Sequence, residues 1–98
     1  MIILLLISQL ELDQNIYNTV INFGGNFKLY NYSYNNTFPL NPNRLKRVTT
    51  LGCGKAEKLP PIDVSPRQNG KYIILNGRHR VAAAILLGQT AIESIVFG

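Results

Sequence analysis

The feature that most restricts the fold of this chain is a short segment that is apolar on every side. Residues 81–87 contain three alanines and four larger aliphatic residues, and Gly88 follows at the position where helices commonly end. A helix that is apolar all round must be buried, and small alanine side chains allow close backbone packing. We therefore predict that residues 78–87 form a helix in the core of a small α+β domain.

Strand patterns flank this helix on both sides. Residues 62–64 alternate between apolar and polar, and residues 72–75 are apolar on both faces, which predicts a central, buried strand. The Asn69-Gly70 pair between these strands is a strong hairpin signal. Residues 92–97 predict a closing strand. The pattern over residues 60–96 is therefore a hairpin, a helix and a final strand.

The first part of the chain gives weaker signals. Residues 2–7 are an uninterrupted apolar run whose length suits a buried core strand. Residues 16–23 fit either a short helix or a second strand. Residues 27–34 are aromatic and alternate in polarity, which favours a strand.

A further short helix is predicted over residues 44–51. Asn41 or Asn43 would cap its N-terminus. Since 98 residues suit a single small domain, we expect residues 1–98 to form one domain.

The positive charge is concentrated in one segment. The chain has a formal net charge of +5, and residues 44–80 hold nine bases against two acids, a local charge of +7. Such a segment attracts nucleotides, DNA or other anionic partners, and the alternative is a solvated basic face without a partner. Charged residues make up only 15% of the chain, which is compatible with a homodimer formed through an apolar face.

Cysteine content and hydropathy restrict the location. Cys53 is the only cysteine, so the chain has no internal disulfide framework, which suggests a reducing compartment, and we predict a cytoplasmic protein. No apolar run approaches the roughly 20 residues that a membrane span needs. One histidine and few carboxylates argue against a metal site.

The turn before the buried helix is the strongest candidate site, and it consists of Asn76, Gly77, Arg78, His79 and Arg80. An arginine in the first turn of a helix is unfavourable by about 0.3–1 kcal/mol because it meets the positive end of the helix dipole. No carboxylate lies nearby in sequence. A bound anion would relieve both arginines, held by the first-turn amide groups and the guanidinium forks. Gly77 would let the backbone approach this ligand closely. The five residues therefore predict a phosphate-binding site.

Two alternatives stay open for these side chains. Both arginines could instead extend into solvent or pair with a distant acid such as Asp63 or Glu57. His79 could bond a backbone carbonyl in the core rather than contact a phosphate.

Taken together, these segments resemble the ParB/sulfiredoxin superfamily. The family pattern is a Pro-Ile-x-Val strand, a hairpin into a strand that ends in Gly-x-x-Arg, and an alanine-rich helix that ends in Leu-Gly. This chain matches it over residues 59–97, and the resemblance implies a mixed sheet with a buried helix after the turn. Members bind nucleotide phosphates at the Gly-x-x-Arg turn, which implies that role for residues 77–80.

The resemblance leaves the activity open. ParB proteins bind and hydrolyse CTP, sulfiredoxins use ATP to repair an oxidised cysteine, and related proteins include a serine kinase and nucleases. Sulfiredoxins have their catalytic cysteine directly before the His-Arg pair, where this chain has Arg78, so sulfiredoxin activity is not expected. The kinase relatives need a catalytic carboxylate, for which Glu57 and Asp63 are the weak candidates.

Three functions are consistent with the sequence. The first is a nucleotide-binding domain that takes ATP, ADP or CTP, with or without Mg²⁺, and with or without NTP hydrolysis or phosphotransfer. The second is a DNA-binding protein or nuclease that uses the basic residues 44–80. The third is a non-enzymatic protein-interaction module that uses the aromatic residues 27–34.

Overall fold

A mixed sheet and three helices make up the described part of the chain, which in this computed structural model comprises residues 2–28, 30–33, 38–52 and 60–98. The elements are β1 (Ile2–Leu6), β2 (Leu10–Asp13), α1 (Gln14–Asn22), β3 (Tyr32–Ser33), α2 (Pro42–Gly52), β4 (Ile62–Pro66), β5 (Tyr72–Asn76), α3 (Arg78–Leu86) and β6 (Ala91–Val96). A 3-10 turn at Ile7–Gln9 joins β1 to β2. The predicted α+β fold with a mixed sheet is confirmed.

The sheet has the strand order β1-β6-β4-β5-β2-β3. β1 runs antiparallel to β6, and β4 runs antiparallel to β5. β4 is parallel to β6, while β2 is parallel to β5, with Leu10 opposite Tyr72. Because β2 and β5 are neighbours and run in the same direction, they end at the same edge of the sheet. α1 and α3 therefore begin close together.

α3 lies in the core, as the apolar segment predicted. Its residues 81–85 are buried in the same cluster as residues of β1, β2, β4, β6, α1 and α2. The helix ends at a left-handed Gly88, whose amide bonds the Ile85 carbonyl at 3.1 Å, and the Gln89 amide bonds the Ala84 carbonyl at 2.9 Å. This pair of bonds satisfies carbonyl groups that the last turn leaves open.

The predicted hairpin joins β4 to β5. The Arg67 amide donates to the Lys71 carbonyl at 2.8 Å, and the Gly70 amide donates to the Arg67 carbonyl at 3.2 Å. β5 is an interior strand, as predicted, but its predicted burial is wrong. Leu75 is 55% exposed, and the other large side chains of β5 are only partly buried. The core covers one face of β5, and an apolar run does not reveal which face is left open.

The position of β1 also differs from its prediction. β1 is an outer strand, and only Leu5 among its side chains is fully buried. Ile2, Leu4 and Leu6 point away from the core and are more than half exposed. The prediction of a buried core strand is therefore wrong, because a continuous apolar run does not show that both faces of a strand are covered.

The ambiguous residues 16–23 belong to a helix. The Asp13 carboxylate accepts a hydrogen bond from the Ile16 amide at 2.9 Å and so caps α1. The predicted strand over residues 27–34 is largely wrong, because the described residues of this range include only the two-residue β3 (Tyr32–Ser33). Leu29 and Tyr34 lie outside the described residues.

The aromatic side chains of this region pack together instead of alternating. Phe27 is buried in a loop, and its ring centroid lies 5.2 Å from that of Tyr17 and 5.7 Å from that of Tyr30. Tyr17 also stacks on Tyr32 with ring centroids 4.2 Å apart. The aromatic residues of this region therefore form a cluster that anchors α1 to the following loop, and they do not indicate a long strand.

The predicted helix near residue 44 begins at Pro42. The Asn41 side-chain oxygen accepts from the amides of Asn43, at 2.9 Å, and Arg44, at 3.2 Å. Asn41 is therefore the cap, and proline follows it at the first helical position, where its missing amide hydrogen costs nothing. Within the described residues, no helix has the length and apolar character needed to cross a bilayer.

Candidate functional site

The first turn of α3 presents open backbone donors. Gly77 precedes the helix with φ +112°, and no side chain caps this end. The Val81 amide bonds the Gly77 carbonyl at 3.0 Å, whereas the amides of Arg78, His79 and Arg80 have no acceptor among the described residues. Such unpaired amides at the positive end of a helix dipole attract an anion.

Gly77 also lets α3 approach β4. A Cβ atom built at Gly77 would lie 2.5 Å from Cγ2 of Ile62, which is fully buried. We predicted that this glycine gives a ligand access to the backbone. The side of Gly77 where a Cβ atom would lie is filled by Ile62, and the approach of a ligand to the Gly77 backbone stays a prediction.

Arg78 is held by a carboxylate that is distant in sequence. Its Nε and Nη2 donate to the two carboxylate oxygens of Asp13, at 2.8 and 3.1 Å, and Nη2 also donates to the Phe38 carbonyl at 2.7 Å. The Asp13 side chain is only 5% exposed. The alternative of a distant acid therefore applies to Arg78, but the acid is Asp13, 65 positions away, and not Asp63 or Glu57.

His79 joins α3 to the start of α2. Its Nε2 accepts a hydrogen bond from the Asn41 amide at 2.8 Å, which requires a neutral ring with its proton on Nδ1. Burial lowers the pKa of His79, and the positive charges of Arg44 and Arg78 lower it further. The partner of His79 is thus a backbone amide, whereas the alternative given by the sequence was a backbone carbonyl. The predicted phosphate contact of His79 stays a prediction.

We expect this bond to make folding sensitive to pH. The pKa of His79 lies below its ordinary value of about 6.5 in the folded chain. The unfolded chain therefore takes up a proton first as the pH falls. The contribution of neutral His79 to the free energy of unfolding should be fully present above about pH 6.5. It should be lost as the pH falls from that value through the lower pKa of the folded chain.

Urea unfolding of the native chain and His79→Gln, measured at pH 5 and pH 7.5, tests this expectation. His79 is the single histidine of the sequence, so the native chain should lose more of its unfolding free energy at low pH than the variant does. Equal losses would show that the Asn41 bond does not depend on the protonation of His79.

Arg80 is anchored on the segment that leads into β4. Its Nη1 donates to the Pro60 carbonyl at 2.9 Å and to the Pro61 carbonyl. Burial lowers the pKa of Arg80, whereas the nearby charge of Asp63 raises it and that of Arg44 lowers it. Nε and Nη2 of Arg80 have no acceptor among the described residues, and they are still able to bind a ligand.

Arg44 brings a second helix start to the same place. It lies in the first turn of α2, is exposed, and acts electrostatically on both His79 and Arg80. Neither α2 nor α3 has an acidic residue in its first turn. Two positive helix ends and their arginines therefore converge, which strengthens the attraction for an anion.

The remaining predicted residues differ in how far the structure describes them. Asn76 is exposed at the end of β5 and is paired with Asp63 across the β4–β5 ladder. Glu57 lies outside the described residues, together with Lys55 and Lys58 of the basic segment. The described residues hold no cluster of three or more side chains suited to a metal ion.

The described residues of the basic segment do not lie on one continuous surface. Arg67 and Lys71 lie in the hairpin before β5, while Arg78 and Arg80 follow its other end. A strand of five residues separates the two groups by roughly 17 Å. The charge of +7 that the sequence assigns to residues 44–80 is therefore divided between at least two places.

Sequence reasoning missed Asp13, Asn41 and Arg44 as parts of this site. The sequence predicts either Asn41 or Asn43 as a helix cap, and it shows that Asp13 precedes a helical pattern, which is a cap signal in itself. Their proximity to α3 depends on the strand order, and no local pattern reports that.

Comparisons with known proteins agree with the fold. The sequence matches the ParB N-terminal domain family over residues 36–97. Sulfiredoxin from Arabidopsis thaliana is similar in structure, with a TM-score of 0.59 and 20% identity over 99% of this chain and 84% of that chain. No curated protein sequence gives a significant match.

A second solved structure is the C-terminally truncated chromosome-partitioning protein ParB from Caulobacter crescentus in complex with CTP-gamma-S. Its TM-score is 0.64 and its identity is 17%, over 99% of this chain and 44% of that chain. This chain thus spans less than half of the ParB chain, and at such identity the likeness shows the fold. The resemblance to the ParB/sulfiredoxin superfamily is confirmed.

Proposed function

Because this chain belongs to the ParB N-terminal domain family, we propose that it binds a nucleotide by its phosphates at the first turn of α3. The observation that carries the proposal is the group of open amides at residues 78–80 beside the guanidinium groups of Arg80 and Arg44. The ParB structure contains CTP-gamma-S, which favours CTP, and ATP and ADP are the competing ligands.

The arginines have different parts in this proposal. Arg80 is fixed by the carbonyls of Pro60 and Pro61, so its remaining donors are already oriented and lose little freedom on binding. Arg44 is exposed and supplies charge at the rim of the site. The charge of Arg78 is balanced by Asp13, so Arg78 shapes the turn and contributes less attraction. Asn76 and Gly77 are further predicted site residues, and they lie at the start of the turn.

Magnesium fits this site as a companion of the phosphates. Mg²⁺ in nucleotide sites is typically held by phosphate oxygens, water and one or two carboxylates. Asp63 is the carboxylate that acts electrostatically on Arg80 and is suited to that role. With few carboxylates available, we expect Mg²⁺ to strengthen nucleotide binding and not to bind alone.

The proposal also includes a reaction of the bound nucleotide, either hydrolysis or phosphotransfer. Phosphoryl transfer depends mainly on positioning and on neutralising negative charge, which Arg44 and Arg80 supply. Asp63 is the candidate that would orient or deprotonate an attacking hydroxyl or water. Phosphate release by the native chain and by Asp63→Asn, measured in the same samples as binding, tests this role.

We expect calorimetric titration with CTP, ATP and ADP, each with Mg²⁺, to detect binding of one nucleotide to the native chain. Arg44→Gln should weaken that binding about tenfold, because one charge-assisted hydrogen bond to phosphate contributes about 1.4 kcal/mol. The Arg44 side chain makes no bond to the described residues, so the variant should fold normally.

Arg67→Gln is the matched control. It removes the same charge from the hairpin at the other end of β5, and we expect it to leave the affinity unchanged. Equal loss in both variants would indicate non-specific attraction to a basic protein. No binding of any nucleotide to the native chain would refute the proposal. DNA binding, a cytoplasmic location and the extent of a single domain stay predictions.

A further inference from the structure

Among the described residues, no strand pairs with the outer edge of β1. β1 is the outermost strand, and within the described residues it pairs with β6 alone. Soluble proteins commonly protect such an edge with charged residues, proline or a bulge. β1 (Ile2–Leu6) has neither charge nor proline, and its pairing with β6 shows no shift of register. One side chain does occupy this edge, because Oε1 of the exposed Gln9 accepts from the Leu6 amide at 3.0 Å. An added strand would have to displace Gln9 at Leu6, whereas the strand itself carries no charge, proline or bulge against pairing.

The side chains on the open face of β1 are large and apolar. Ile2 is 56% exposed, Leu4 is 69% exposed and Leu6 is 52% exposed. Ile3 and Leu5 on the other face pack against the core. An apolar strip that borders an unpaired strand edge is a typical interaction surface and not the usual surface of a monomer.

We propose that β1 pairs antiparallel with β1 of a second copy of this chain, around a two-fold axis at Leu4. This register would set Ile2 opposite the partner's Leu6, and Ile3 opposite the partner's Leu5. Side chains alternate along a strand, so exposed residues then meet exposed residues and core residues meet core residues. A shift of one residue would break this match. The strand is thus self-complementary, as a two-fold interface requires.

Charge does not oppose this arrangement. Residues 1–10 contain no charged side chain, and the charged residue in register with Leu4 is Glu93 on β6. In the dimer the two Glu93 side chains would be three strand spacings apart, roughly 14 Å. This distance exceeds the screening length of about 8–10 Å at ordinary salt, so their repulsion is weak.

The dimer should be weak. A five-residue strand offers backbone hydrogen bonds and a narrow apolar strip, which is less than the roughly 1,000 Å² typical of stable interfaces. We therefore expect a dissociation constant on the order of 10–100 µM.

Sedimentation equilibrium over about 5–500 µM tests the proposal. The native chain should change from monomer to dimer across this range. Leu4→Lys should remain monomeric, because a charge protects a strand edge and because the two lysines would repel each other at the two-fold axis. Ile21→Lys carries the same charge change on α1, where Ile21 is 44% exposed, and should dimerise like the native chain. Leu75→Lys places a charge on the open face of β5. It should leave the dimer intact if the copies pair through the edge of β1, and it should weaken the dimer if they pair through this face.

A cross-link tests the register itself. Directly opposed residues of antiparallel strands have Cα atoms about 4.5–5.5 Å apart, within the range for a disulfide. With Cys53→Ser as the background, Leu4→Cys should therefore form a dimeric disulfide under mild oxidation. Ile2→Cys should not, because the two copies of residue 2 would be about 13 Å apart.

Several outcomes would overturn the proposal. A native chain that is monomeric at every concentration is one. Equal weakening of the dimer by Leu4→Lys and Leu75→Lys, or cross-linking of Ile2→Cys as fast as Leu4→Cys, would assign association to another surface. Binding of the monomeric chain to phosphatidylcholine vesicles, lost in Leu4→Lys, would assign the strip to a lipid surface instead.

Discussion

Asp13→Ala is expected to lower the free energy of unfolding by about 4 kcal/mol. The substitution removes the buried partner of Arg78, and breaking a buried ion pair from one side typically costs about 3–5 kcal/mol because the remaining charge is uncompensated. It also removes the cap of α1, since the same carboxylate accepts the Ile16 amide. The total stability of a domain this size is roughly 5–15 kcal/mol, so the variant should be close to unfolding.

Chemical unfolding of three variants measures this effect and its cause. Glu11→Ala is the control, because the Glu11–Arg67 pair is long, at 3.7 Å, and Arg67 is exposed. Such a pair contributes about 1 kcal/mol or less. Adding Arg78→Met to Asp13→Ala removes the unpaired charge and should recover a large part of the loss. If the double variant is no more stable than Asp13→Ala, the effect comes from the lost cap.

Gly77→Ala is expected to cost about 3 kcal/mol, which for a chain of this length lowers the melting temperature by roughly 10–20 °C. Two causes add. The φ of +112° is unfavourable for any residue with a Cβ atom, by about 1–2 kcal/mol. The new Cβ would also lie 2.5 Å from Cγ2 of Ile62, and overpacking a core costs about 1–3 kcal/mol.

Gly88→Ala separates these two causes. Gly88 has a φ of +77°, but a Cβ atom there would meet nothing within 4 Å. Calorimetric melting should therefore show a loss of only about 1 kcal/mol, from the backbone term alone. Equal losses at both positions would mean that β4 moves aside at little cost. In Gly77→Ala, such a movement would change the position of α3 relative to Ile62. The nucleotide affinity of this variant would then show how strongly binding at the open amides depends on the contact between Gly77 and Ile62.

Local patterns predicted the second half of the chain well. The all-apolar segment gave α3, the Asn69-Gly70 pair gave the hairpin, and the glycine after the last turn gave the helix end. These signals act over a few residues, through backbone geometry and the requirement to bury apolar surface. The resemblance to the ParB/sulfiredoxin superfamily rested on the same segments, and it holds for the same reason.

Burial was predicted less well than secondary structure. β1 and β5 are both apolar on two faces, and both have a face that the core does not cover. An apolar run shows that a strand tolerates burial. Whether a strand is covered depends on which elements pack on each side of it, and an apolar run gives no information on that.

The sequence by itself determined the buried helix, the turn that starts it and the positive charge of that turn, because these properties arise from adjacent residues. Only the tertiary structure decided what meets the turn. Strand order brought Asp13 to Arg78 across 65 positions, and the start of α2 brought Asn41 to His79. Such contacts depend on chain segments that are remote in sequence. Because Arg78 is paired with the buried Asp13, Arg80 and Arg44 are the charges that the proposed ligand would meet.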